Sequence, residues 1–184
     1  INGNVKANID AGNSGSYNTT AAISSYGDSY NKFASTVIVN GDVDITADGN
    51  GLHAGAYGAT TTINGGGKIT INDTKGKGYF AILSEGGTVN MNASLDSNGN
   101  ITSGLGKDVI LKGNIGAANG YTSDFKTKVN LALDTSKSSL DGIVYNQFGL
   151  DGLNSWGSTY YGETNLLLQN GATWNNVYEN KVSS

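Results

Sequence analysis

The sequence predicts an all-β solenoid, a parallel β-helix of about six or seven coils, and three observations carry that prediction. A Gly-x-Gly step recurs at Gly49-Asn50-Gly51, Gly76-Lys77-Gly78 and Gly104-Leu105-Gly106, at spacings of 27 and 28 residues. Short runs with an apolar residue at every second position precede the first two steps, as in Val43-Asp44-Ile45 and Ile69-Thr70-Ile71, and period-two alternation is the mark of a strand. Gly makes up 28 of 184 residues while Pro is absent. That balance suits a chain turning many tight corners and excludes collagen-like and Pro-rich linker segments.

Each element follows from the same alternation. Thr36-Val37-Ile38-Val39 leads into Asp42-Val43-Asp44-Ile45-Thr46, a corner at Asp48-Gly49-Asn50-Gly51, and a third segment from Leu52 to Tyr57. The order repeats through Thr61-Thr62-Ile63, Lys68-Ile69-Thr70-Ile71 and Tyr79-Phe80-Ala81-Ile82-Leu83, and restarts at Thr88-Val89-Asn90-Met91 and at Lys128-Val129-Asn130-Leu131. Strands this short bury an apolar face only when like positions of successive coils stack, on the order of 4.8 Å apart, into a rod of roughly 30 Å. Alternation turns Val37, Val39, Val43, Ile45, Ile63, Ile69, Ile71, Val89 and Met91 inward, and Asp42, Asp44, Thr70 and Asn90 outward. Asn40, Asn64, Asn90 and Asn130 each follow an inward branched residue, which predicts a ladder of amides. The alternative architecture is a β-sandwich of many short strands.

Composition narrows the class. A net charge of −4, with 14% charged and 37% hydrophobic residues, belongs to a folded chain, and 184 residues suit one domain spanning 1–184. All eleven basic residues are Lys and they are scattered, which argues against nucleic-acid binding. The chain has no Cys, removing disulfides and thiolate chemistry. It contains no apolar run long enough to span a membrane as a helix. It begins at Ile1 without an apolar leader, as an excerpt of a longer protein would.

Three stretches interrupt the rhythm: residues 10–35, rich in Ser, Asn and Tyr, residues 114–126, and residues 145–162. In solenoids such insertions project from the shaft and carry binding. The last holds Phe148, Trp156, Tyr160 and Tyr161 among Gly, Ser and Asn, flat apolar faces with adaptable hydrogen bonding suited to sugars or a protein surface. These four are the candidate ligand-binding residues; the competing role is to cover the core.

Catalytic sets are sparse. His53 is the only His, too few for an ordinary zinc site, and no nucleophile motif surrounds any Ser, so His53 reads as structural. Asp42 and Asp44 share a strand face, an arrangement found in glycoside hydrolysis or calcium binding but more often a solvated surface. Asp96-Ser97-Asn98-Gly99-Asn100 begins like a calcium loop without completing one, and Gly65-Gly66-Gly67-Lys68 fails the phosphate-loop pattern. No metal or cofactor is expected.

The stretch Asn165-Leu166-Leu167-Leu168-Gln169-Asn170-Gly171-Ala172-Thr173-Trp174, within residues 163–176, resembles the rung found towards the C-terminal end of autotransporter passenger domains, and Gly87-Thr88-Val89-Asn90 is similar to their repeat starts. The resemblance implies a right-handed parallel β-helix, exported through the outer membrane of a Gram-negative bacterium and displayed on or released from its surface. Many such passengers are adhesins or aggregate cells. Neither a signal peptide, a membrane barrel nor a Gly-Asp-Ser-Gly protease motif is present in this sequence. The expectation is therefore a non-enzymatic stalk or adhesion module that binds a host-cell, matrix or glycan ligand or self-associates. The alternative is a polysaccharide-cleaving lyase or hydrolase using Asp42 and Asp44, which the lack of Arg disfavours for polyanionic substrates.

Overall fold

The computed structural model describes residues 1–10, 20–28, 30–74, 76–119, 127–146 and 160–176. These residues contain no helix. The chain instead visits three parallel sheets in rotation. The first round lays down β1 (Val5–Asp10), β2 (Ala21–Tyr26) and β3 (Thr36–Val39), and the second β4 (Val43–Asp48), β5 (Asn50–Gly55) and β6 (Thr60–Ile63). The third gives β7 (Gly67–Ile71), β8 (Phe80–Glu85) and β9 (Thr88–Met91), then a hairpin of β10 (Ala93–Leu95) and β11 (Ile101–Gly104). The fourth gives β12 (Val109–Lys112), β13 (Asn114–Asn119) and β14 (Lys128–Leu133). A fifth has β15 (Ser139–Asp141), β16 (Val144–Tyr145), the short β17 (Tyr160–Tyr161) and β18 (Glu163–Leu168), and β19 (Thr173–Asn175) follows.

Spatial order repeats chain order. The first sheet runs β1-β4-β7-β12-β15-β19, the second β2-β5-β8-β13-β16, the third β3-β6-β9-β14-β18. Within each sheet the neighbours pair in parallel; β10–β11 and β13–β17 are antiparallel. Register stacks like on like, so that Ala7, Ile45, Ile69 and Leu111 form one column, and Val39, Ile63, Met91 and Leu131 another. Of the residues assigned inward, Val39, Val43, Ile45, Ile63, Ile69, Val89 and Met91 are buried and Val37 and Ile71 pack partly buried against them. The columns meet between the three sheets, so each strand's apolar face is covered by the other two walls as well as by the rungs above and below.

Two amide ladders run across the rungs where one was expected. At the corner after the third sheet, Asn40 Nδ2 donates to Asn2 Oδ1 at 2.8 Å and Asn64 Nδ2 to Asn40 Oδ1 at 2.7 Å. On the third sheet, Asn165 donates to Asn130 at 2.9 Å, Asn130 to Asn90 at 2.8 Å, and Asn90 to Thr62 at 3.1 Å. Each amide offers both a donor and an acceptor, so a stack satisfies itself along its length. Asn90 points away from the apolar columns as alternation requires, but it is buried and not solvated. The hairpin lies against β14 and β18 on that outer face, and Lys128 Nζ donates to Gly99 O in its tip at 3.5 Å.

That hairpin also corrects the repeat. Gly49 and Gly76 to Gly78 both stand between the first and second sheets, whereas Gly104 to Gly106 stands at the foot of the hairpin, between the third sheet and the first. Equivalent positions are not evenly spaced: 24 residues separate Asn40 from Asn64, 28 Thr62 from Asn90, 40 Asn90 from Asn130, and 35 Asn130 from Asn165. The 27- and 28-residue spacing therefore mixed two different corners. The corner equivalent to the first two is Gly113, whose φ of 143° admits Gly almost alone.

All three expected interruptions are partly strand, the third only at its ends, Tyr145 of β16 and Tyr160–Tyr161 of β17. Ala21–Tyr26 pairs with β5, and Asn114–Asn119 lies between β8 and β16 in the interior of the second sheet. Each strand keeps one buried branched residue, Ile23 and Ile115, but the next inward position is small, Ser25 in one and Ala117 in the other, so neither shows the run of alternating branched residues seen in the other two sheets. Residues 11–19, 120–126 and 147–159 lie outside the described residues. Replacing Asn130 by Ala is expected to destabilise the chain by about 1–3 kcal/mol, because it strands the buried Oδ1 of Asn90 and the half-buried Nδ2 of Asn165 together. Chemical denaturation checks this, and a loss below a few tenths of a kcal/mol contradicts the ladder's role.

Candidate functional site

Three of the four exposed aromatic side chains among the described residues lie at the corner between β2 and β3, the fourth being Trp174 on β19. Tyr26, at the end of β2, is 53% exposed, Tyr30 is 93% exposed and Phe33 57%. Rings so exposed gain nothing from burial in the fold. The turn that carries them is nonetheless held tightly. Asp28 N donates to Phe33 O at 2.9 Å, closing residues 28–33 into a loop. At its base Ser35 Oγ accepts from Tyr26 N and donates to Tyr26 O, both at 2.7 Å. Inside it, Asp28 Oδ1 accepts from the backbone of Tyr30 at 2.7 Å and of Asn31 at 3.2 Å, and Oδ2 accepts from Asn31 Nδ2 at 2.7 Å. The Asn31 side chain first, and the Tyr30 amide next, hold the Asp28 carboxyl below the ordinary Asp value. This is an Asx-type turn presenting rings on a short, fixed arm.

Of the four candidates named from sequence, only Tyr160 and Tyr161 are placed, and they lie away from this corner. Phe148 and Trp156 lie outside the described residues. Tyr160 and Tyr161 form β17, pairing antiparallel with Asn119 and Ala118 at the far end of β13. The described aromatic arm lies within the first interruption, residues 10–35, whose four aromatic residues, Tyr17, Tyr26, Tyr30 and Phe33, are spread among Ser, Asn and Asp without forming a cluster in the sequence.

The two carboxylates separate by role. Asp42 Oδ1 accepts from Gly66 N at 2.8 Å in the next rung, as Asn4 Oδ1 accepts from Asp42 N at 2.9 Å in the one before. It is a corner acceptor repeated along the stack. Asp44 stands outward in an exposed pair with Lys6 at 3.3 Å and is in register with Lys68. Both border a shallow groove of about 520 Å³ with Lys68, Lys107 and Asp108. Asp96 is a turn residue, its carboxylate accepting from the amides of Asn98 and Asn100 at 2.8 and 2.9 Å. Among the described residues no three His, Asp or Glu side chains gather closely enough to hold a metal ion.

One constellation escaped the sequence. His53, on the outward face of β5, is fully buried. Its Nδ1 lies 3.0 Å from Ser24 Oγ on β2 and its Nε2 3.1 Å from Glu85 Oε2 on β8. Three consecutive rungs of the second sheet thus contribute one side chain each. The residues are 29 and 32 positions apart, so no local motif marks them; only the register brings them into line. The Tyr26 ring packs on the imidazole with centroids 6.4 Å apart, joining this array to the aromatic arm.

The Asp28 carboxyl, with its depressed value, supports the turn fully above the ordinary carboxylate range and releases it as pH falls through the folded-state value. Protection of the Tyr30 amide, relative to an unstructured amide at the same pH, is therefore expected to be full at neutral pH and to be lost as pH falls below the ordinary Asp value of 3.8. Exchange that shows no such acid step contradicts the Asx turn. Compared with protein-family models, with curated proteins and with solved structures, the chain matches none.

Proposed function

We propose that the three sheets are the walls of one right-handed parallel β-helix and that the chain is a stalk and adhesion module of autotransporter-passenger type. It stands on a bacterial cell surface or is secreted, and it presents its side loops to a host-cell, matrix or glycan ligand or to a second cell bearing the same protein. The observation that carries this function is the aromatic turn of residues 28–33. Tyr30 and Phe33 face solvent, yet the turn beneath them is hydrogen-bonded at its base and through Asp28. An exposed ring on a pre-ordered arm loses little conformational freedom when a partner covers it, which is how aromatic contacts supply affinity.

The rest of the chain supports a presenting role. Column stacking needs only nearest-neighbour rungs, so a stalk of this kind extends without a larger core and holds its loops at a fixed spacing. The rung at Ala172-Thr173-Trp174, which carries the likeness to passenger domains, includes β19, and Trp174 Nε1 donates to Gly142 O in the preceding rung at 3.0 Å.

Replacing Tyr30 and Phe33 together by Ser is expected to weaken binding to cultured host cells, matrix proteins or a glycan array by about tenfold or more, with the thermal midpoint unchanged. Undiminished binding by the double variant removes the turn from the ligand site.

A further inference from the structure

We propose that Ser24, His53 and Glu85 form an acyl-transfer site that hydrolyses carboxylic esters, independent of the adhesive role. For a neutral imidazole the two partners decide the tautomer. A carboxylate accepts hydrogen bonds and has none to give, so Glu85 Oε2, 3.1 Å away, fixes the proton of neutral His53 on Nε2. Nδ1 is then the lone-pair nitrogen, and the contact of 3.0 Å from Ser24 is an Oγ–H donated to it. A hydroxyl hydrogen-bonded to an imidazole whose other nitrogen is oriented by a carboxylate is an activated nucleophile, recognised by geometry and not by position in the chain.

Access is distributed as that chemistry needs. Ser24 is exposed on β2, His53 is fully buried, and the Glu85 side chain is 31% exposed. The nucleophile meets solvent while the base is shielded from it. The room for the ring is built in: a Cβ at Gly55 would lie 2.6 Å from His53 Cε1 and 2.7 Å from Tyr26 Cδ2, so only Gly leaves the imidazole and the phenol ring in place. Tyr26, two residues from Ser24 on the same strand face and half exposed, offers a flat surface for a sugar or aryl alcohol on the ester. β2 is the last strand of its sheet among the described strands; Ser35 Oγ takes the Tyr26 N–H on its edge, and the remaining edge N–H groups, which none of those strands pairs, are the donors an oxyanion takes.

In the first half-reaction Ser24 Oγ attacks the ester carbonyl carbon while its proton passes to His53 Nδ1. The tetrahedral adduct collapses as the carbon–oxygen bond to the alcohol breaks, and His53 returns that proton to the departing alcohol oxygen. Water then attacks the acyl-Ser24 ester, giving its proton to Nδ1; the bond to Oγ breaks, the carboxylic acid leaves, and Ser24 Oγ recovers the proton. Ser24 and His53 are the catalytic residues. Glu85 is a positioning residue that holds the neutral ring in its Nε2–H tautomer, with the Nδ1 lone pair facing Ser24, and steadies the imidazolium once Nδ1 takes the proton.

The full chain is incubated with p-nitrophenyl acetate and, separately, with a fluorophosphonate probe, followed by peptide mass mapping. Ester turnover and a single adduct on Ser24 are expected. Ser24→Ala abolishes both, His53→Asn lowers turnover by about 10²–10⁴-fold, and Glu85→Gln lowers kcat with KM little changed. A wild-type chain that hydrolyses no ester above the Ser24→Ala background, or that takes the probe on other serines as readily as on Ser24, overturns the assignment. So does a Ser24→Ala variant that loses thermal stability but no turnover, because the array is then a structural clamp. The adduct is read on the wild-type chain, so the result does not depend on how well any variant folds.

Discussion

Everything in this chain depends on in-register parallel pairing between rungs that are each too short to stand alone. Strands of two to six residues cannot hold an apolar face out of water by themselves. Each is fixed by backbone hydrogen bonds to the rungs above and below and by columns of like side chains between the three sheets. Because side chains alternate faces with period two, a slip of one residue in any rung would turn a core column outward, so the register is as well defined as the core it buries. The ladders of Asn90, Asn130 and Asn165 and of Asn2, Asn40 and Asn64 reinforce it, since an amide slipped by one position loses its partners on both sides.

The same constraint explains how functional groups arise. In a stacked chain, residues far apart in sequence become neighbours at fixed spacing, and a constellation is assembled vertically, one residue per rung. Ser24, His53 and Glu85 meet this way across β2, β5 and β8. Insertions arise at corners, where a chain may leave and re-enter without disturbing the columns. The hairpin of β10 and β11 is one, anchored where Asn92 Nδ2 donates to Asp134 Oδ1 at 2.8 Å and Gly106 N to Asp134 Oδ2 at 2.9 Å. The aromatic turn of residues 28–33 is another.

Much of the fold was legible because the branched residues of the first and third sheets alternate openly: Val43 with Ile45, Val89 with Met91, Val129 with Leu131. The second sheet was less so. In β13 the small residues Gly116 and Ala117 stand next to Ile115, and Ala21, Ser24 and Ser25 of β2 look like loop, although parallel sheets covered on both faces take small residues readily. Even spacing was the least reliable signal, since Gly104 to Gly106 closes an insertion and not a repeat. The site was hardly legible at all. Nothing near Ser24 or His53 in sequence predicts their contact, and the arm bearing Tyr30 and Phe33 differs from ordinary polar loop only in the Asp28 turn beneath it.

Cross-linking measures the stacking register most directly. The chain has no Cys of its own, Asp44 and Lys68 are paired outward-facing neighbours on β4 and β7, and Lys68 pairs in turn with Ile110 on β12. Adjacent parallel strands place paired Cα atoms about 5 Å apart, within disulfide reach, and next-but-one strands about 10 Å apart, beyond it. Under mild oxidation, the double variant Asp44→Cys with Lys68→Cys should form an intramolecular disulfide rapidly, while Asp44→Cys with Ile110→Cys should not. A disulfide in the second pair and none in the first would contradict the register on which the columns, the ladders and the Ser24–His53–Glu85 array all rest.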